Sequence, residues 1–305
     1  MDTTLVIFNQ LLQMYIIMMF GFVLVRFNYL NMEGSQQLAQ VVTKFIIPIV
    51  IVMSFQKDYD SSQLYLLFKT FIGTLAIILS RIALAHTLLR NRSKIDRYAA
   101  VFSNNGFMGI PIVLELLGYE GIFYLSVYIV TSTVFQYTYG KWMLSEGREV
   151  ITLLSILSNP ASLGAFIGLG LYLSRISLPT ILYNSLDTIG SLSSPLGMIL
   201  LGGYLARSKV KDIFLRKANY WTVAVRLIIS PIIGIFLLWV LPITHPSVLL
   251  ILAITNATPT AVNTAIFSQL YGGDYEYGAR LIVLASLLSI VTIPLMISLS
   301  SAFFL

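Results

Sequence analysis

The chain contains no cysteine at all. That removes disulfides, thiolate nucleophiles and cysteine-based metal sites from consideration. Histidine is nearly absent as well. The two present, His86 and His245, are far apart and have no acidic neighbour at ligand spacing, so no metal site is expected. Charge is scarce too, with 10% Asp, Glu, Lys and Arg. The acidic clusters that hold magnesium in prenyl-transfer chemistry are missing, and so are a His–acid acyltransfer pair and a Walker motif. Neither an enzyme nor a nucleotide-driven pump is indicated, and no cofactor is implied.

What is abundant is apolar side chain: 57% of residues, with a mean hydropathy of +0.85. This composition belongs to polytopic membrane proteins. Leu5 to Val25, Val150 to Ser174 and Leu281 to Leu305 each lack any charge. Each is long enough, as a helix, to cross about 30 Å of hydrocarbon. The first lacks a basic n-region and a small-x-small cleavage site, and reads as a retained helix rather than a signal peptide.

Ten spans are expected, near 5–25, 37–55, 64–89, 98–117, 121–143, 152–174, 180–206, 219–241, 246–271 and 279–303. With the N-terminus outside, one set of loops carries 13 of the 19 basic residues, and the opposite set only Lys57 and Arg175. This positive-inside bias places both termini on the extracytoplasmic side. It also explains the net charge of +6 without a nucleic-acid partner.

The spans divide into two sets of five, residues 1–150 and 151–305. Span two reads Lys44-Phe-Ile-Ile-Pro48 and span seven Ser191-Leu-Ser-Ser-Pro195, with the proline at the same depth. Span four contains SNNGFMGIPIVLELLG and span nine TNATPTAVNTAIFSQLYGG. An odd number of spans per half makes the second half enter from the other side, which gives an inverted repeat. In span four, Gly106, Gly109 and Pro111 are expected to break the helix, with Asn104 and Asn105 using the break. In span nine, Pro259 breaks it, and Asn256, Thr258, Thr260 and Asn263 supply the polar groups. Irregular backbone at this depth is tolerated only against protein or water, and half-helix N-termini suit an anionic substrate.

Among ionisable groups near the membrane, Arg226 and Lys44 are the candidate partners for substrate charge. Lys69 and Arg81 read as interfacial anchors, and Glu115 and Asp187 as solvated. Tyr137 and Tyr139 are possible cavity residues. SEGREVITLL, before span six, fits either an amphipathic surface helix or a linker.

FSNNGFMGIPIVLELLG resembles the fourth-helix signature of the auxin efflux carrier family, which includes plant PIN proteins and bacterial organic-acid permeases. PTAVNTAIFSQLYGGD is similar to its ninth-helix signature, and KFIIPIVIVMSF and SPLGMILLGGYLA to its second and seventh helices. The resemblance, closest to the bacterial branch, implies two inverted five-helix repeats like those of the bile-acid symporter. Spans 1, 2, 6 and 7 would form a scaffold and the rest a moving transport domain, with broken helices four and nine crossing at the substrate. Asn104 aligns with the crossover asparagine and Pro259 with the crossover proline. Ser103 replaces a proline of plant members, so the first break relies on Gly106, Gly109 and Pro111. The implied function is secondary active or facilitative transport of a small organic anion, malate- or malonate-like or auxin-like, across the plasma membrane by an elevator movement. A homodimer through the scaffold helices is one arrangement it admits. The alternatives are a sodium-coupled bile-acid-type symporter, for which the core offers no central acid, and a ligand sensor that does not transport.

Overall fold

The computed structural model describes residues 3–148, 159–207, 213–214 and 216–304. Most of SEGREVITLL lies outside them. Among the described residues there is no β-strand, only helices and one isolated antiparallel bridge. In chain order the helices are α1 (Thr3–Arg26), α2 (Met32–Ser54), α3 (Ser61–Leu88), α4 (Lys94–Val101), α5 (105–117), α6 (119–144), α7 (Pro160–Leu173), α8 (Thr180–Arg207), α9 (Lys217–Val240), α10 (Pro246–Ala257), α11 (Asn263–Leu270) and α12 (Tyr275–Phe304).

Among the described residues seven helical stretches are long and apolar enough to cross a membrane, where the sequence suggests ten spans. Two causes account for the difference. Residues 105 to 144 run as one stretch of 40 residues, bent at Gly118 (φ 59°, ψ −155°). A Cβ on Gly121 would lie 2.6 Å from Val113 Cγ1. Residues eight apart on a straight helix are separated by about 12 Å, so the chain folds back on itself at this corner. In addition, α7 and α10 are described over only 14 and 12 residues.

Local chemistry sets the helix ends. Asp60 caps α3 by accepting from Ser62 N–H at 2.8 Å, and hydrogen bonding from Ser62 holds its carboxyl below the usual carboxylate range. Ser93 and Asp96 form a capping box that opens α4. Three helices widen into a π turn just ahead of a proline: Val42–Ile46 before Pro48, Asn105–Gly109 before Pro111 and Val225–Ile229 before Pro231. A proline within a helix loses its donor and clashes with the carbonyl four residues earlier. The extra residue of a π turn absorbs that clash. A fourth π turn, Gln136–Gly140, lies in α6.

The helix contacts follow a paired pattern. α1 packs along residues 193–207 of α8, and α7 packs against residues 47–54 of α2. Residues 180–191 of α8 touch residues 47–54, while residues 32–41 of α2 touch residues 193–207. α1 and α8 approach so closely that a Cβ on Gly202 would strike the Met18 carbonyl oxygen, and one on Gly21 the Ile199 carbonyl. Small residues are what permit such close backbone approach in membranes. α3 and α9 pack together, and both reach α10.

Candidate substrate site

α4 ends at Val101, and the chain runs extended through Phe102 (φ −99°, ψ 135°) before helix resumes at Asn105. α10 ends at Ala257, Thr258 is extended (φ −62°, ψ 149°), and α11 starts at Asn263. In hydrocarbon an exposed stretch of unpaired backbone would cost several kcal/mol per group. The two interruptions therefore satisfy each other. Ser103 and Thr260 form the antiparallel bridge, with Asn104 N–H donating to Pro259 O at 2.8 Å and Ala261 N–H to Phe102 O at 3.0 Å.

Side chains lock the crossing. Asn105 Nδ2 donates to Ser103 Oγ at 2.7 Å, and its Oδ1 accepts from Thr258 Oγ1 at 2.8 Å. Thr260 Oγ1 donates to Ala99 O at 3.1 Å. Asn256 Nδ2 reaches the carbonyls of Ser230 and Pro231 at 3.3 and 3.2 Å, beside the π turn of α9. Asn104 differs from its neighbour. Its Oδ1 caps α5 through Phe107 N–H at 3.3 Å, while its Nδ2 is buried without a partner.

Arg81 is the centre of this network, not the interfacial anchor suggested by the sequence. It is 1% exposed. Its Nη1 donates to Tyr128 Oη at 2.6 Å, Ser103 Oγ at 3.2 Å and Val101 O at 3.3 Å. Its Nη2 donates to Asn256 Oδ1, Asn256 O and Thr255 O at 2.7, 3.1 and 3.3 Å. Arg226, fully buried, donates through Nη2 to Thr258 O at 2.5 Å and Asn256 O at 3.3 Å. Both cations thus sit on the C-terminal carbonyls of broken helices, where the helix dipole places roughly half a negative charge. This makes two intramembrane arginines tolerable without an acidic partner. Position could have flagged Arg81, because it stands seven residues before Leu88, about 10 Å inside the helix end.

A cavity of about 520 Å³ opens beside the crossing. Of the residues expected at the site, Asn104, Asn105, Gly106, Asn263 and Lys44 line it. Asn256, Thr258, Thr260 and Pro259 instead hold the crossing together behind it, and Gly109 and Pro111 shape α5. Arg226 does not line the cavity. Its Nη2 is bonded to carbonyls at the end of α10, while its Nε and Nη1 are buried without a hydrogen-bond partner.

The lining also includes Arg207, Gln136 and Tyr137, of which the sequence suggested only Tyr137. Gln136, on the π turn of α6, accepts from Asn263 Nδ2 at 2.9 Å. Arg207 donates to Ser35 Oγ at 2.8 Å. Lys44 Nζ is exposed and donates to the neutral Gln40 Oε1 at 3.2 Å. Tyr139 is not in the lining and bonds His86 at 2.6 Å. Asp187 is half-buried rather than freely solvated, and accepts from Tyr119 Oη at 2.5 Å. No Asp, Glu or His among the described residues lines the cavity, and they hold no cluster of metal-ligating side chains.

The N-termini of α5 and α11 both border this space, through Asn104 to Gly106 and Ala261 to Asn263. Such ends present unpaired N–H groups and positive partial charge. A family model described as membrane transport protein matches residues 6–153 and 147–297. The chain belongs to that family. It is the auxin efflux carrier family, the one its helix motifs resemble. Similar along nearly its whole length are two archaeal proteins, each named an uncharacterized transporter. The one from Methanocaldococcus jannaschii is 24% identical over 302 residues, covering 92% of this chain and 94% of the relative. The one from Methanothermobacter thermautotrophicus is 26% identical over 302 residues, covering 94% and 96%. The family member described here is thus a multi-pass membrane transport protein and not an enzyme.

Proposed function

We propose that this transporter carries a small organic anion, a carboxylate of the malate, malonate or auxin-like kind, by alternating access across the plasma membrane. The observation that carries the reading is the cavity's charge: Lys44, Arg207 and two helix N-termini face it, with no carboxylate lining it among the described residues. Asn104 supplies a buried amide nitrogen without a partner at the same wall. A carboxylate satisfies both features, the orphaned donor by hydrogen bonding and the fixed charge by neutralisation.

In this reading the chain makes ten crossings in two inverted halves of five, and Gly118 separates the fourth from the fifth. The reciprocal packing of α1 on α8 and of α7 on α2, with α3 against α9, supports it, because exchanging the halves maps each contact onto another. α1, α2, α7 and α8 form the scaffold, and the remaining helices slide against it as an elevator. The cavity mouth, at Ser35, Arg207 and Tyr275, lies beside the basic loops, so the conformation is open to the cytoplasm and both termini face outside. A homodimer would use the scaffold face.

Thermal unfolding of the detergent-solubilised protein against malate, malonate, succinate and indole-3-acetate tests the site. A ligand at a hundred times its Kd stabilises by about 2.7 kcal/mol. At least one carboxylate is expected to raise Tm, and to fail to do so in Asn104→Leu. No shift with any carboxylate would overturn the reading.

A further inference from the structure

The cavity wall is built unequally in the two halves of the molecule. Lys44 lies four residues before Pro48, and Ser191 four residues before Pro195. The helices interrupt at the same place in both: α2 has its π turn over Val42–Ile46, and α8 breaks at Leu192 between Ser191 and Ser193. One turn earlier stand Gln40 in α2 and Asp187 in α8. Gln40 and Lys44 both line the open cavity. Asp187 accepts from Tyr119 Oη at 2.5 Å at the Gly118 corner. There Gly190 packs on Val50, its would-be Cβ 3.2 Å from Val50 Cγ2. The contact of Tyr119 with Asp187 joins the α5–α6 corner to α8, on the face away from the cavity mouth.

We propose that Lys44 makes the site side-selective, so that the anion binds more tightly from the basic-loop face than from the opposite one. The inference rests on the reading of the cavity as an anion site in an inverted repeat. When the molecule opens the other way, the wall equivalent to Gln40 and Lys44 is Asp187 and Ser191. A neutral–cationic pair is exchanged for an acidic–neutral one, a difference of two charges at one wall of the vestibule. Lys44 is free to act. Its amine is exposed in the cavity and bonded only to a neutral amide, whereas Arg207 is held by Ser35. It also lies near the crossing: Ile47, one turn further along α2, would have its Cδ1 3.0 Å from a Cβ on Gly106. An amine so placed attracts an anion loading from that face and plays no part when the anion loads from the other. The interaction is solvent-screened, so a moderate factor is expected.

The test measures half-saturating concentrations for radiolabelled malate, malonate and indole-3-acetate in membrane vesicles of both orientations. Lys44→Ser is expected to raise the half-saturation at the basic-loop face about fivefold. The opposite face should stay within about twofold, and Lys44→Arg should restore the original value. The reciprocal variant, Asp187→Gln with Ser191→Lys, should tighten binding at the opposite face. A wild-type protein with equal affinity at the two faces would overturn the inference. So would a Lys44→Ser effect that is absent, or equal at both faces, while Asn104→Leu still abolishes saturation. If no probe saturates from either face even in the wild type, the site reading fails and takes this inference with it.

Discussion

At the scale of single residues, Asn104 and Asn105 have the same side chain but different duties, because helix resumes between them. Asn105 belongs to the first turn of α5, and its amide is used up between Ser103 and Thr258. Asn104 caps that turn with its oxygen, which leaves its nitrogen buried at the cavity wall without a partner. Asn104→Leu should therefore abolish carboxylate-dependent stabilisation and lower the apo Tm by a few degrees at most, since one cap is worth about 1 kcal/mol. Asn105→Leu should lower the apo Tm further, because it removes the side-chain link between Ser103 and Thr258 across the crossing. Arg81 makes a different prediction. Arg81→Met removes the donor to three backbone carbonyls at the crossing, and leaving a buried acceptor unsatisfied costs about 1–3 kcal/mol. Arg81→Lys should recover little of that, because an ammonium cannot span Tyr128, Ser103 and Asn256 as a planar guanidinium does. Thermal unfolding in detergent checks both variants, and an Arg81→Met protein as stable as the wild type would contradict the assignment.

At the scale of elements, prolines and glycines decide where helices bend. Gly118 has φ 59° and ψ −155°, and a Cβ there would meet nothing within 4 Å. Any cost of Gly118→Ala is thus backbone strain alone, expected at about 1–3 kcal/mol, and an unchanged Tm would show that the corner is not held as described. Gly202 is the opposite case: its φ is ordinary and the obstacle is the Met18 carbonyl, so Gly202→Val should force α1 and α8 apart. Much of this was legible in the sequence. Pro259 stands within the interruption of span nine. In span four the interruption falls at residues 102–104, ahead of Gly106, Gly109 and Pro111, which lie in the resumed helix α5 rather than at the break expected of them. What the sequence did not show was which polar residues face the cavity. Asn256, Thr258 and Thr260 carry the same chemistry as Asn104 and Asn263, but the antiparallel bridge turns them toward the other strand or toward α9. Facing depends on a pairing between residues about 150 positions apart, and no local pattern encodes it. Arg81 escaped for a related reason: its partners, the carbonyls of Val101, Thr255 and Asn256, exist as free acceptors only once both helices have broken.

For the whole molecule, the sequence shows the membrane class, and the family match shows that this is a transport protein. The structure adds the mutual packing of α1, α2, α7 and α8, the four helices proposed as scaffold. Scaffold pairs such as α1 and α8 touch backbone to backbone. Hydrogen bonds from these four helices to the others include Tyr119 to Asp187, Tyr15 to Ser289 at 3.0 Å and Tyr172 to Asp60 O at 3.0 Å, beside a shared apolar core. In the proposed elevator these hydrogen bonds would break and re-form as the four helices and the rest move past each other. Tyr119→Phe should accordingly weaken the hold on the present conformation and raise the exchange rate between faces. A slower rate with unchanged Tm would argue against that role.

The most direct test of the central claim is flux. Purified protein in proteoliposomes, preloaded with malate, malonate or indole-3-acetate, should exchange at least one of them with external label in a saturable manner. Asn104→Leu, folded with an apo Tm within a few degrees of the wild type's, should reduce that exchange to the level of empty liposomes. Exchange that persists undiminished in Asn104→Leu would contradict the site. No saturable exchange of any organic anion by the wild type would contradict the function.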